Sequence, residues 1–232
     1  MSTGRSLALS DVGAATANLW GAECLAGPEA CVRVSCLWPE ICRFLKADQG
    51  TWLAMLKAVA ALPGVKQVRV ASGLRYDLAL REEKSLAEFL NHFVGGQLKV
   101  APEHLDPFVL KLMRKPGPEL FQHFFSFFER WSNQGYFLLP YLISAFPGSD
   151  PDRMRRLADW FRKRNWRPRQ VQAFIPTPGT VATAMYFAGV DERGRPLNVA
   201  RSDRERLAQH AFLKPPADSK KGLVKKRVRG RS

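Results

Sequence analysis

Short β-rich runs alternate with amphipathic helical segments along most of this 232-residue chain. The β-rich runs cover 67–72, 97–101, 136–144 and 170–176, and helical periodicity covers 51–61, 85–94, 106–114, 118–132, 151–164 and 203–213. Parallel strands need a crossover connection, usually a helix, so this alternation predicts βα units around a parallel sheet. We therefore predict an α/β fold with one domain over residues 1–213.

Apolar spacing and capping residues support four of these elements. The 136–144 run is almost continuously apolar, which predicts a strand buried on both faces. Asp150 and Pro151 occupy the N-cap and first position of the helix that follows. Two helices carry an apolar stripe, namely Leu86, Phe89, Leu90 and Phe93 in the first and Leu120, Phe124, Phe127, Phe128 and Trp131 in the second.

The formal net charge of +15 is concentrated in two short segments. Basic and acidic side chains are equal in number over residues 1–152, whereas 153–169 and 214–232 each carry seven more cations than anions. The first segment either places its arginines on the exposed face of an outer helix or binds a polyanion. Residues 214–232 lack periodicity and predict a disordered basic tail, which either makes weak, salt-sensitive contacts with RNA or is merely solvated.

No apolar run approaches the ~20 residues that a membrane span requires, and the first residues contain no signal-peptide apolar stretch. We therefore expect a cytoplasmic protein without membrane contact. Hydrophobic residues make up 46% of the chain, enough for a core, so wholesale disorder is excluded.

All four cysteines fall within one short segment, at Cys24, Cys31, Cys36 and Cys42. Clustered thiolates are good ligands for zinc or for an iron–sulfur cluster. The spacing matches neither the paired C-x2-C zinc pattern nor the common ferredoxin run, so it does not identify the metal. Free or redox-labile thiols are the alternative.

Polar, turn-rich residues follow each predicted strand, at 72–77, 102–104, 145–150 and 176–183, and residues 9–18 have the same character. Catalytic and ligand-binding residues of parallel βα folds lie just beyond the carboxyl ends of the strands. Each loop alone also has a structural interpretation; for example, Arg75 and Asp77 could form a surface ion pair. Together on one rim they predict a binding site for a polar ligand.

The same loops contain motifs that resemble the YgiQ family of radical SAM proteins, and the resemblance covers about residues 8–213. The matching segments keep the family order and comprise 10–18, 35–42, 70–77, 95–104, 113–117, 139–148, 171–178 and 183–186. The resemblance implies a partial (βα) TIM-like barrel, a [4Fe-4S] cluster and S-adenosylmethionine, which such enzymes cleave to a 5′-deoxyadenosyl radical.

The family's Cys-x3-Cys-x2-Cys motif is absent from this sequence. By the resemblance, the chain is expected to begin near the second barrel strand, without the N-terminal domain and the cluster loop. An N-terminal half encoded upstream is therefore a possible partner. Where the family has a second glycine and a proline after Gly13, this chain has Ala14 and Ala15. The Cβ of Ala14 would occupy space where the backbone approaches the cofactor's amino group.

The resemblance also assigns a cofactor and substrate rim, residue by residue. Its members here are Gly13, Ser72, Arg75, Tyr76, Glu103, His104, Ser144 and Pro176, and the four cysteines would form a second metal site or an auxiliary cluster in an insertion at 24–42. The implied function is a radical SAM protein of unknown substrate, inactive as this chain alone. The alternatives are a non-catalytic fragment and an RNA- or polyanion-binding protein that acts through its basic segments.

Overall fold

A computed structural model describes residues 6–13, 16–27, 29 and 31–213, so the predicted basic tail lies outside the described residues. The strands are β1 Leu7–Leu9, β2 Glu23–Cys24, β3 Leu45–Lys46, β4 Val65–Val68, β5 Gln97–Glu103, β6 Phe137–Ser144 and β7 Gln170–Ala173. The helices are α1 Gln49–Ala60, α2 Tyr76–Ala79, α3 Glu83–His92, α4 Pro107–Leu112, α5 Pro118–Trp131, α6 Pro151–Arg162, α7 Val181–Ala188 and α8 Asp203–Ala211.

The strands form parallel pairs in chain order, as the alternation predicts. β5, β6 and β7 form one parallel sheet, and β1 pairs with β4 in a second. The N–H of Lys99 donates to the carbonyl of Ala71 at 2.8 Å, which joins the segment after β4 to β5. β2 and β3 form a small antiparallel pair around the cysteine segment. The mixed α/β class is confirmed, and the strands described here form no closed barrel.

Helix α3 packs as its spacing predicts, but the stripe predicted on α5 is wrong at both ends. Leu86, Phe89 and Leu90 of α3 are buried, and so is Phe93 beside them. On α5, Phe121, Phe124, Phe127 and Phe128 are buried, whereas Leu120 and Trp131 are 37% and 46% exposed. Leu120 and Trp131 lie in the first and last turns of the helix, and Phe121 takes the buried position in the first turn.

β6 is buried on one face only, which corrects the prediction of a strand buried on both. Leu138, Pro140, Leu142 and Ser144 are buried, while the alternate residues are half-buried or exposed. Side chains of a strand alternate between the faces of the sheet, and only the face with Leu138, Pro140, Leu142 and Ser144 is fully buried here. The uncovered face contributes Tyr141 to the cavity described below.

Helix α6 confirms both its predicted cap and its predicted apolar face. The Asp150 carboxylate accepts a hydrogen bond from the N–H of Arg153 at 2.7 Å, and Pro151 is the first helical residue. The core side of the helix is formed by Met154, Leu157, Ala158 and Phe161, all buried. Arg155, Arg156 and Arg162 are exposed, as the helix-face interpretation expects, whereas Arg153 is half-buried.

Candidate functional site

A cavity of about 370 Å³ lies where the segment after β4 meets the uncovered face of β5–β7. Its lining combines polar side chains from loops and strands that are distant in sequence, namely Ser72, Arg75, Lys99, Lys115, Tyr141 and Gln170. Ser72 and Arg75 follow the carboxyl end of β4, where ligand sites of parallel α/β folds lie, whereas Lys99, Tyr141 and Gln170 lie within β5, β6 and β7. The volume falls in the range of small-molecule sites, about 300–1,000 Å³.

Gly13 and Ser72 are in close contact near the edge of this cavity. Asp11 accepts hydrogen bonds from Ser72 Oγ at 2.8 Å and from the N–H of Ala71 at 2.9 Å. A Cβ built on Gly13 would lie 2.5 Å from Asp11 Oδ1 and 2.7 Å from the Ser72 carbonyl oxygen. The loop after β1 is thus held against the loop after β4, and glycine is the residue that fits at position 13. Ala14 lies outside the described residues.

Arg75 and Asp77 form a largely buried ion pair rather than a surface pair. Arg75 Nε donates to Asp77 Oδ1 at 3.0 Å, and the two side chains are 19% and 5% exposed. Asn18 holds the backbone of Arg75 from both sides, accepting from its N–H at 2.8 Å and donating to its carbonyl at 2.9 Å. Gln49 in turn accepts from Asn18 Nδ2 at 2.8 Å. The guanidinium at the cavity wall therefore has a fixed position and a compensated charge.

Tyr76 is part of both the cavity wall and the hydrophobic core. Its ring centroid lies 5.9 Å from that of Phe121 and 5.6 Å from that of Phe124. Burial raises the pKa of the Tyr76 hydroxyl well above its ordinary value, and the negative charge of Asp77 acts in the same direction. The hydroxyl therefore stays protonated at neutral pH, so it is unsuited to act as a base.

Glu103 sits beside the cavity in a strained backbone conformation, with φ of +63° at the end of β5. Non-glycine residues rarely adopt this region, and such outliers cluster at functional sites. Its Oε1 lies 3.0 Å from Lys115 Nζ, which also donates to the carbonyl of Ala101 at 3.3 Å. Burial raises the pKa of Tyr141, and the charge of Glu103 adds to the rise. The negative charge of Glu103 therefore influences two residues of the cavity lining, Lys115 and Tyr141.

His104 and Ser144 are fully buried outside the cavity lining. Burial lowers the pKa of His104 to about 4, so its ring is neutral at pH 7. Ser144 Oγ lies 3.1 Å from His210 Nδ1 on α8. Pro176 is half-buried in the loop after β7 and does not line the cavity either.

The structure thus brings Gly13, Ser72, Arg75 and Tyr76 together, with Glu103 alongside. The sequence interpretation did not assign several lining residues to the site, among them the polar residues Lys99, Lys115, Tyr141 and Gln170. Lys99, Tyr141 and Gln170 lie within strands, and the alternation of strand side chains could have placed each of them on one face of the sheet. The alternation could not have identified which face of the sheet stays uncovered.

The four cysteines are free thiols with different exposures: Cys24 and Cys31 are exposed, Cys36 is half-buried and Cys42 is buried. The Cys42 N–H donates to the Cys36 carbonyl at 2.7 Å. Over the part of the chain that the structure describes, no three His, Cys, Asp or Glu side chains are grouped as metal ligands would be. Metal binding by the cysteines therefore stays a prediction.

No helix within the described ranges is long and apolar enough to cross a membrane.

Comparison with known proteins gives one family match and several close relatives. A family described as a domain of unknown function, DUF3362, matches residues 169–231. UPF0313 protein GSU2873 of Geobacter sulfurreducens is 44% identical over 211 residues, which cover 88% of this chain and 35% of that protein. UPF0313 protein PA4928 of Pseudomonas aeruginosa is 38% identical over 218 residues, covering 89% and 29%, respectively.

The chain therefore spans about a third of the length of these curated relatives. Their similarity extends over nearly all of its residues, and DUF3362 is the C-terminal domain of the same family. The chain belongs to the UPF0313 family, which is the YgiQ family that its motifs resemble.

Proposed function

We propose that this chain contributes the S-adenosylmethionine-binding wall of a radical SAM protein. The observation that carries the proposal is the cavity of about 370 Å³ lined by Ser72, Arg75 and Tyr76. These are three of the positions that the family resemblance assigns to the cofactor and substrate rim. Convergence of polar groups from separate loops on one concave site is typical of small-molecule binding.

The residues of this chain do not fit the ligand set of a [4Fe-4S] cluster. Residues 1–232 contain no Cys-x3-Cys-x2-Cys motif, and the described cysteines do not group as three ligands. We therefore derive no step through a cluster. A radical reaction at this cavity would require cluster ligands that residues 1–232 do not contain.

The volume of about 370 Å³ and the polar lining of the cavity support S-adenosylmethionine as its ligand. When bound to a reduced cluster, this cofactor supplies a 5′-deoxyadenosyl radical. The ligand carries hydroxyl, amino and carboxylate groups, and the lining offers Lys99 and Gln170 as hydrogen-bonding partners. The Arg75–Asp77 pair holds the cavity wall in place, and Tyr76 supplies an apolar ring with a protonated hydroxyl.

Calorimetric titration of the isolated chain with S-adenosylmethionine, and separately with S-adenosylhomocysteine, tests this proposal. We expect saturable binding, weakened at least tenfold by Lys99→Met, which removes a charge from the cavity and keeps the aliphatic stem. The matched control is Lys66→Met, which removes an exposed strand lysine outside this cavity. The absence of saturable binding by the wild-type chain, or equal loss in both variants with folding retained, contradicts the proposal.

The missing cluster motif has its own test. After anaerobic reconstitution with iron and sulfide and addition of dithionite, we expect no 5′-deoxyadenosine from this chain alone. Detection of 5′-deoxyadenosine by mass spectrometry would show that residues 1–232 do hold an active cluster.

A further inference from the structure

The cations of residues 153–169 divide into a paired group and an unpaired group. Within α6, Arg155 lies 2.5 Å from Asp152, Arg162 lies 2.6 Å from Asp159, and Arg156 lies 3.0 Å from Asp106. Arg153 contacts both Asp150 and Asp106. Every arginine of the helix therefore has an acidic neighbour that compensates its charge.

The turn from α6 into β7 has the opposite character. Lys163, Arg164, Arg167 and Arg169 are all exposed. None of the four lies within 4 Å of an acidic side chain among the residues that the structure covers. The turn is thus a short surface of uncompensated positive charge, which attracts polyanions.

Aromatic rings lie beneath and between these cations. The guanidinium carbon of Arg164 is 3.9 Å from the ring centroid of Trp160, and its Nη1 donates to the Trp160 carbonyl at 3.1 Å. Trp160 and Trp166 are half-buried, with centroids 6.3 Å apart. Phe125 of α5 stacks on Trp166 at 4.9 Å. The turn therefore combines partly exposed indole rings with cations.

The backbone of the turn is held in a defined shape. The N–H of Trp166 donates to the Phe161 carbonyl at 3.0 Å, and the N–H of Asn165 donates to the Arg162 carbonyl at 2.9 Å. Asn165 has φ of +50°, a left-handed conformation that asparagine tolerates better than most residues. The cations consequently project from a fixed turn.

We propose that this turn, residues 163–169, is a binding surface for single-stranded nucleic acid. Its cations would contact phosphates, and the Arg164–Trp160 stack and Trp166 would pack against unpaired bases, the combination by which proteins bind single strands. The observation that favours a nucleic acid is the stack of Arg164 on Trp160, because planar aromatic and guanidinium surfaces beside cations are the groups on which unpaired bases stack. The proposal stands independently of S-adenosylmethionine binding.

The test compares two triple variants that remove equal charge. Both are made in the full chain carrying Lys225→Gln, Lys226→Gln, Arg227→Gln, Arg229→Gln and Arg231→Gln, so that the C-terminal cations do not dominate binding. The turn variant carries Lys163→Gln, Arg167→Gln and Arg169→Gln. The control carries Arg155→Gln, Arg156→Gln and Arg162→Gln, the arginines already paired with acids. Circular dichroism verifies that each variant is folded.

Fluorescence anisotropy with a labelled 16-nucleotide oligouridine then gives the affinity as a function of salt. Each phosphate contact contributes about −0.7 to the log–log salt slope for single strands, so the turn variant should lose about 2 units of slope and more than tenfold in affinity. The control should change less than threefold. Equal loss in both triples, an unchanged turn variant, or no binding by the parent protein would each overturn the proposal.

Discussion

His104 Nδ1 accepts a hydrogen bond from the backbone N–H of Asp106 at 2.9 Å. An accepting ring nitrogen carries no proton, so the neutral ring must carry its proton on Nε2. That Nε2 is buried and has no hydrogen-bond partner among the residues that the structure describes. The residue is thus held as one neutral tautomer between the end of β5 and the start of α4, where protonation would be costly.

We predict that His104 makes stability depend on pH. Burial lowers its pKa from 6.5 to about 4, so between those values the unfolded chain binds a proton that the folded chain does not. Stability is therefore full above pH 6.5 and falls as the pH drops toward 4, by about 3 kcal/mol from this group. Urea unfolding at pH 7, 5 and 4 measures the effect. His104→Gln should remove this pH dependence of the unfolding free energy, whereas His123→Gln, which changes an exposed histidine, should keep it. If His104→Gln kept the wild-type pH dependence, His104 would not be its source.

Gly13→Ala should destabilise the protein by about 1–3 kcal/mol, the usual cost of overpacking. The added methyl would lie 2.7 Å from the Ser72 carbonyl oxygen, which is backbone and yields little. Gly95→Ala is the matched control, because its Cβ would meet only the flexible side chain of Arg69, at 3.2 Å. Thermal unfolding of both variants compares them. Equal midpoints for the two would show that the contact between the loops after β1 and β4 is not tight.

Phe121→Ala should cost about 3–5 kcal/mol, because a fully buried aromatic ring is removed from the core. Leu120→Ala, one position earlier on α5, should cost about 1 kcal/mol or less, because Leu120 is 37% exposed. Chemical denaturation at one pH gives both values. A larger loss of unfolding free energy in Leu120→Ala would show that Leu120 belongs to the buried apolar face, as the sequence pattern predicts.

The cysteines should react with a thiol reagent in two classes. Cys24 and Cys31 are exposed and should be labelled within the mixing time, whereas Cys42 is 6% exposed and should react only after local opening. Labelling followed by peptide mass spectrometry resolves the sites. Protection of all four thiols in protein isolated anaerobically, together with bound zinc or iron, would instead support the predicted metal site.

Local sequence determined those helices whose capping residues and apolar spacing lie within the helix itself. Asp150 and Pro151 start α6, and its apolar spacing defines the buried face, because capping and helical periodicity depend only on residues within a few turns. The alternation of β-rich runs and helices likewise predicted the parallel pairing. The sequence pattern did not predict β1, because its three residues, which are largely exposed, are too few to show an alternation of apolar and polar side chains.

Tertiary structure decided which rim residues meet. Asp11 and Ser72 contact each other across 61 positions, and Tyr141 of β6 faces Gln170 of β7 through strand register. Such contacts depend on sheet order and on which face the helices leave uncovered, and neither is encoded in a local window. The family resemblance assigned eight residues to one rim, and in the structure three of them, Ser72, Arg75 and Tyr76, line the cavity. Only the fold added Lys99, Lys115, Tyr141 and Gln170 to the cavity and separated His104, Ser144 and Pro176 from it.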